Sequence, residues 1–216
     1  MRNPAETREK LLRTAMSLIC QSSYHQVGVN EICRQAEVTK GAFYHHFDSK
    51  ADLYQEAAQL HWDETKPDFD RMSSSGYTPL QQLQNLIDMV VECHTSPQEE
   101  NEIVGCSIIS TGYQEGDHGN VVAAFSRKIT EEILKYHNLM IDNLAKADML
   151  ASDPDIEQIG RLIHHYIHGL VDYGRVFNDH SGMRNDLTEA VCRIVDLKPE
   201  FRRVLLNSPV KLAKAL

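Results

Sequence analysis

The sequence predicts an all-α protein: a small three-helix N-terminal domain followed by a C-terminal helical bundle. Three observations carry that expectation. Apolar residues recur at three- and four-residue spacing along most of the 216-residue chain, the repeat of helices with one buried face. No segment shows the period-two alternation of a half-buried strand. Pro (7) and Gly (11) are sparse. With 42% hydrophobic and 25% charged residues, the composition is that of an ordinary globular protein and argues against disorder.

The first helix is expected at about residues 5–21, where Leu11, Leu12, Ala15, Leu18 and Ile19 share a face and Arg8, Lys10 and Arg13 lie off it. Residues 22–28 read as a loop. A short helix follows at about 29–36 and buries Ile32 and Ala36. After a tight connection at Glu37 and Val38, Thr39 can cap a second short helix, 40–46, by taking a free backbone N–H on its hydroxyl. Phe47 and Asp48 end it. Ser49-Lys50-Ala51-Asp52 has the form of a capping box with Asp in place of Glu, opening a longer helix to about Lys66. Pro67 and Ser73-Ser74-Ser75-Gly76 mark a loop. Further helices are expected at about 79–94, 103–112, 121–150, 155–178 and 184–195, with a short one near 199–206. The domains implied are 1–65 and 66–216.

Two short helices joined by a few residues and flanked by a third form a helix-turn-helix arrangement. Phe43 and Phe47, four apart, can anchor helix 40–46 inward. Thr39, Lys40, Tyr44 and His45 are then left toward solvent, and Gly41 and Ala42 are small enough to let a groove approach. Hydroxyls, a lysine and a helix N-terminus are common phosphate-contacting groups. By residue type alone this surface is either a DNA-reading face or a solvated face.

The stretch Glu31-Ile32-Cys33-Arg34-Gln35-Ala36-Glu37-Val38-Thr39-Lys40-Gly41-Ala42-Phe43-Tyr44-His45-His46-Phe47-Asp48-Ser49-Lys50-Ala51-Asp52-Leu53 closely resembles the DNA-binding signature of TetR-family transcriptional regulators. The resemblance covers about residues 5–65. It implies that Thr39 and Lys40 start a recognition helix and that Gly41 and Ala42 face bases. It also implies that Tyr44, His45 and Lys50 contact the DNA backbone, with Ile32, Phe43, Phe47 and Leu53 in the core. Glu37 departs from the pattern, since the family often has Gly there. A non-Gly residue at positive φ costs about 1 kcal/mol. The resemblance further implies operator DNA as partner, a homodimer, a small-molecule effector of unknown identity, and repression more often than activation.

In the second region, residues 155–178 are apolar on nearly every side, which marks a buried or interface helix. Leu187, Ala190, Val191, Ile194 and Val195 give a second stripe. The two stripes form either a dimer interface, with Ile163 and Val191 among its residues, or internal core. His164, His165 and His168 read as polar core or interface residues rather than a metal site, because no third donor lies at a telling spacing nearby. Cys106 falls near the start of a helix, where partial positive charge would favour a thiolate. It is a chemical sensor, an inert pocket residue or plain packing. Cys20, Cys33, Cys93 and Cys192 read as structural.

The net charge of −9 is uneven. Residues 1–55 hold seven Lys/Arg and six Asp/Glu, and the rest hold 15 and 25, so any polyanion contact must come from placed residues of the near-neutral N-terminal domain. No GxSxG, HExxH or P-loop motif occurs, so no enzyme activity, cofactor or metal is expected. Neither an apolar run of about 18 residues nor a signal-peptide pattern is present, which predicts a cytoplasmic protein. The rival reading is a helical protein-interaction module without functional DNA binding.

Overall fold

A computed structural model of the chain describes residues 3–22, 24–94, 121–179 and 182–207. The described residues form helices α1 (Pro4–Gln21), α2 (Val29–Gln35), α3 (Lys40–His46), α4 (Lys50–Met72), α5 (Pro79–His94), α6 (Val121–Lys146), α7 (Ile156–Phe177), α8 (Met183–Ile194) and α9 (Pro199–Leu206), with no strand among them. They group into two compact units. The first holds the described residues up to Pro67 and those of α6 up to Glu131; the second starts at Asp68 and resumes at Glu132. The helix expected at 103–112 lies outside the described residues. No described helix is long and apolar enough to cross a membrane.

Local chemistry sets the helix starts of the first unit. Asn3 caps α1, its side chain accepting from the Ala5 N–H at 3.1 Å, and Pro4 supplies the first helical residue, whose N–H would be unsatisfied anyway. Thr39 caps α3 by accepting from the Ala42 N–H at 3.1 Å. At the start of α4, Ser49 accepts from the Asp52 N–H at 3.1 Å and Asp52 reaches back to the Asp48 N–H at 3.2 Å. The unit closes over an apolar core in which Leu11, Ile32, Phe43, Phe47, Leu53 and Tyr54 are almost wholly buried.

Helix α4 does not stop before Pro67; it runs through it to Met72. A proline inside a helix removes one hydrogen bond and clashes with the preceding turn, at roughly 3 kcal/mol. Phe69 and Met72, one turn apart and both buried, supply the offsetting contacts beyond it.

The second unit buries polar groups as well as apolar ones. Gln82 is 3% exposed; its amide donates to the carbonyls of Ser73 at 3.1 Å and Ser74 at 2.9 Å, and its oxygen accepts from Asn143 at 2.9 Å. Asp88 of α5 is ion-paired with Arg184 of α8 and accepts from Gln84 at 2.9 Å. Helix α6 ends at Lys146 rather than at Leu150, because Asp148 turns into the left-handed region (φ 55°) and the Met149 N–H bonds back to the Leu144 carbonyl at 3.1 Å. Leu150 instead bridges to Leu197 beyond α8.

Helix α7 has two faces. Gly160, Ile163, His164, Ile167, Val171 and Gly174 are buried. Gly160 fits tightly: a Cβ there would stand 2.0 Å from Asn138 Oδ1. The opposite stripe, Leu162, Gly169, Tyr173, Val176 and Phe177, is exposed, with Tyr173 and Phe177 ring centroids 4.4 Å apart. On α8, Leu187, Val191 and Val195 are buried within the protomer. Ile163 and Val191 are therefore internal core, not interface residues. A helix that is apolar all round can split its surface in this way, and the sequence pattern alone cannot say which side faces in.

Candidate nucleic-acid interface

Helix α3 is too short to be stable alone and is held by its two aromatic anchors. Phe43 and Phe47 are buried with ring centroids 5.9 Å apart, and Arg8 stacks over the Phe47 ring at 5.4 Å. That placement turns Thr39, Lys40, Gly41, Tyr44 and His45 to solvent and leaves Ala42 half-buried. Tyr44 is 57% exposed and stands edge-on to Phe43 at 5.0 Å. Thr39, Gly41, Ala42 and His45 line a shallow depression of about 610 Å³ together with Glu37. Pro4 and Thr7 of α1 also line it. Local spacing did not suggest them, because no sequence pattern ties α1 to the front of α3.

Glu37 adopts φ 51°, the left-handed conformation that favours glycine, so the turn does require positive φ. Its carboxylate pairs with Lys10 at 2.9 Å. Lys50, expected to contact the DNA backbone, has partners within the protein. Its ammonium donates to the carbonyls of Tyr24 at 2.8 Å and Val27 at 3.2 Å and lies 4.0 Å from the Tyr24 ring centroid. In this arrangement it pins the α1–α2 loop to the start of α4. His46 neighbours His45 with ring centroids 5.0 Å apart, and burial, then the charges of His45 and Arg8, push its pKa down.

The histidines singled out by sequence lie in the second unit. His164 sits between His137 of α6, at 5.9 Å between centroids, and His168, at 4.4 Å. Burial first, then neighbouring imidazoles, lowers His137 to about 3, His164 to about 4 and His168 to about 3. His137 keeps a hydrogen bond to the Gly160 backbone, while its Nδ1 is buried without a partner. Among the described residues, no three His, Cys, Asp or Glu side chains form a group able to hold a metal ion. Cys33 and Cys192 are buried, and burial raises both thiols, Cys192 to about 11. Cys93, read as structural, is exposed. Cys106 lies outside the described residues.

Residues 11–57 match the family model described as bacterial regulatory proteins, tetR family. Over 168 residues the chain is 26% identical to the HTH-type transcriptional regulator AcrR of Shigella flexneri, covering 77% of each protein. It is 47% identical over 45 residues to the HTH-type transcriptional repressor NemR of Escherichia coli (strain K12), a match covering 21% of this chain and 23% of NemR. The crystal structure of the reduced form of E. coli NemR superposes with a TM-score of 0.74 at 19% identity, covering 85% of this chain and 94% of that one. A TetR-family regulator from Agrobacterium tumefaciens superposes at 0.79 with 16% identity, covering 88% and 98%. At these identities the two superpositions are likenesses of fold.

Proposed function

Because this chain belongs to the TetR family and is a DNA-binding transcriptional regulator, we propose that it is a homodimeric repressor that a small-molecule effector releases from operator DNA. The observation that carries the reading is the solvent-facing side of α3, with its Thr39 cap. Thr39, Lys40, Gly41, Ala42, Tyr44 and His45 are the proposed contact residues: the small pair toward base edges, the others toward phosphates. Lys50 contributes chiefly by holding α4 in place, since two of its three donors are used internally. The exposed stripe of α7 supports the dimer. Leu162, Gly169, Tyr173 and Val176 repeat at seven, four and three residues, a helical seam that is exposed among the described residues. Two subunits joined there would present two α3 helices to major grooves one turn apart, roughly 34–36 Å, or a multiple of it.

The effector would act through α4, which starts in the first unit and ends in the second. A ligand that prefers one position of α4 lowers DNA affinity by its coupling free energy, typically about 1–3 kcal/mol. For the effector we propose a thiol-reactive compound acting at Cys106; burial raises the thiols of Cys33 and Cys192, while the exposed Cys93 is the competing target that Cys106→Ser leaves in place. The domain division proposed is 1–65 for DNA binding and 66–216 for dimerisation and effector binding.

The test begins with selection of bound fragments from the host genome, followed by fluorescence anisotropy on the selected duplex. Salt-sensitive binding that is lost on N-ethylmaleimide treatment of the wild type, but kept in Cys106→Ser, supports the whole reading. Absence of binding to any duplex favours the protein-interaction module. Binding that survives the reagent in the wild type removes Cys106 and leaves the regulator.

A further inference from the structure

The first unit keeps most of its positive charge occupied. Arg8 is paired with Glu56, Arg13 with Glu9 at 2.9 Å and Glu64 at 2.8 Å, Arg34 with Glu31 at 2.6 Å, and Lys10 with Glu37 at 2.9 Å. The Lys50 ammonium rests on two carbonyls. Glu37 differs from the other carboxylates in its position. It lines the depression in front of α3 with Thr39, Gly41, Ala42 and His45, and its side chain is 69% exposed. It also holds a backbone conformation, φ 51°, that glycine would adopt at no cost. A carboxylate at that place meets an approaching phosphate backbone with like charge, and it detains the one cation of α1 nearest the turn. Sequence-independent affinity for duplex DNA comes almost wholly from phosphate neutralisation. A device that withholds one cation and adds one anion therefore weakens binding to every sequence and leaves base-edge contacts to discriminate.

We propose that the Lys10–Glu37 pair is a brake on DNA binding, which makes Glu37 a residue that sets specificity by suppressing sequence-independent affinity. The proposal rests on the reading that the face of α3 binds duplex DNA.

The experiment is an anisotropy titration of random-sequence duplex between 50 and 200 mM salt, with the full chain and three variants: Glu37→Gln, Lys10→Ala and the double substitution. Glutamine keeps the side-chain size and the turn while removing the charge, and thermal melts confirm that each variant is folded. Glu37→Gln is expected to bind random duplex several-fold tighter, with the salt slope steeper by about 1 as Lys10 becomes available to a phosphate. The double variant is expected to lose that added slope. The affinity ratio between a genome-selected fragment and random duplex should fall in Glu37→Gln. Unchanged affinity or unchanged slope in folded Glu37→Gln, against a wild type that binds, overturns the brake and leaves the DNA-binding reading intact. A wild type that shows no salt-dependent binding to any duplex overturns the underlying reading itself.

Discussion

The two units are held together by different means. The first packs aromatic and aliphatic side chains in its interior and keeps its charges in ion pairs at the surface. The second puts polar groups inside: Gln82, Asp88, His137, His164 and Thr188 are all buried there. An apolar core tolerates solvent and acid, because no histidine or carboxylate is buried in it among the described residues. A polar interior is sensitive to both, since each buried group depends on a specific partner. The surface ion pairs of the first unit add little stability in water. The effect proposed for the Lys10–Glu37 pair is on what the surface binds.

Truncating the first unit's core should give the largest effect. Phe43→Ala removes a fully buried ring and is expected to cost about 3–5 kcal/mol. Hydrogen exchange should show loss of protection in α1–α3 together with loss of DNA binding. Protection retained there would mean that Phe43 does not anchor α3.

In the second unit the corresponding break is electrostatic. Arg184→Met leaves Asp88 buried with its charge uncompensated and is expected to cost about 3 kcal/mol in urea unfolding. Adding Asp88→Leu should recover most of that loss. A single variant as stable as the wild type would show that the pair is not desolvated.

Acid separates the units next. His137, His164 and His168 have folded-state values near 3 to 4, below the unfolded value of about 6.5. Their neutral burial contributes stability that is fully present above about pH 6.5. It is lost as pH falls toward their folded values, by about 1.4 kcal/mol per group for each pH unit. Exchange protection in α6 and α7 should therefore decline on acidification from pH 6.5 to 4.5 before that of α1 does. Replacing His137 with Phe should flatten the dependence. Equal loss in both regions would contradict a histidine origin.

Caps give a smaller effect. Thr39→Ala removes the bond to the Ala42 N–H and should cost about 1 kcal/mol. It should also weaken DNA binding, measured by anisotropy. The smallest effect is expected from Glu37→Gly, where relief of the φ 51° strain, about 1 kcal/mol, is opposed by lost chain stiffness and a lost surface pair. A change in melting temperature of no more than a few degrees should accompany tighter DNA binding.

These differences explain which parts of the molecule could be read before it was seen. Caps, turns and the Phe43–Phe47 spacing act within a few residues, so the first unit's helices and the outward side of α3 were legible. The positive φ at Glu37 was signalled only by the resemblance, in which the family often has Gly at that place. The course of α4 was not legible, since the rule that proline ends helices is local and the burial of Phe69 and Met72 that overrides it is not. The inward side of α7 was equally illegible, because a helix apolar all round carries no phase.

What the amino-acid order determined by itself is the all-α class, the helix-turn-helix and the residues it offers to solvent. Only tertiary structure decided where charges and polar groups found partners. Lys50 went to carbonyls 23 and 26 residues away, Lys10 to the turn carboxylate 27 residues on, and Asp88 to Arg184 across 96 residues. His137, on another helix, joined His164. Helical periodicity is a property of neighbours along the chain and survives in the sequence. Pairing between distant side chains depends on how whole helices pack, and no short-range pattern encodes it.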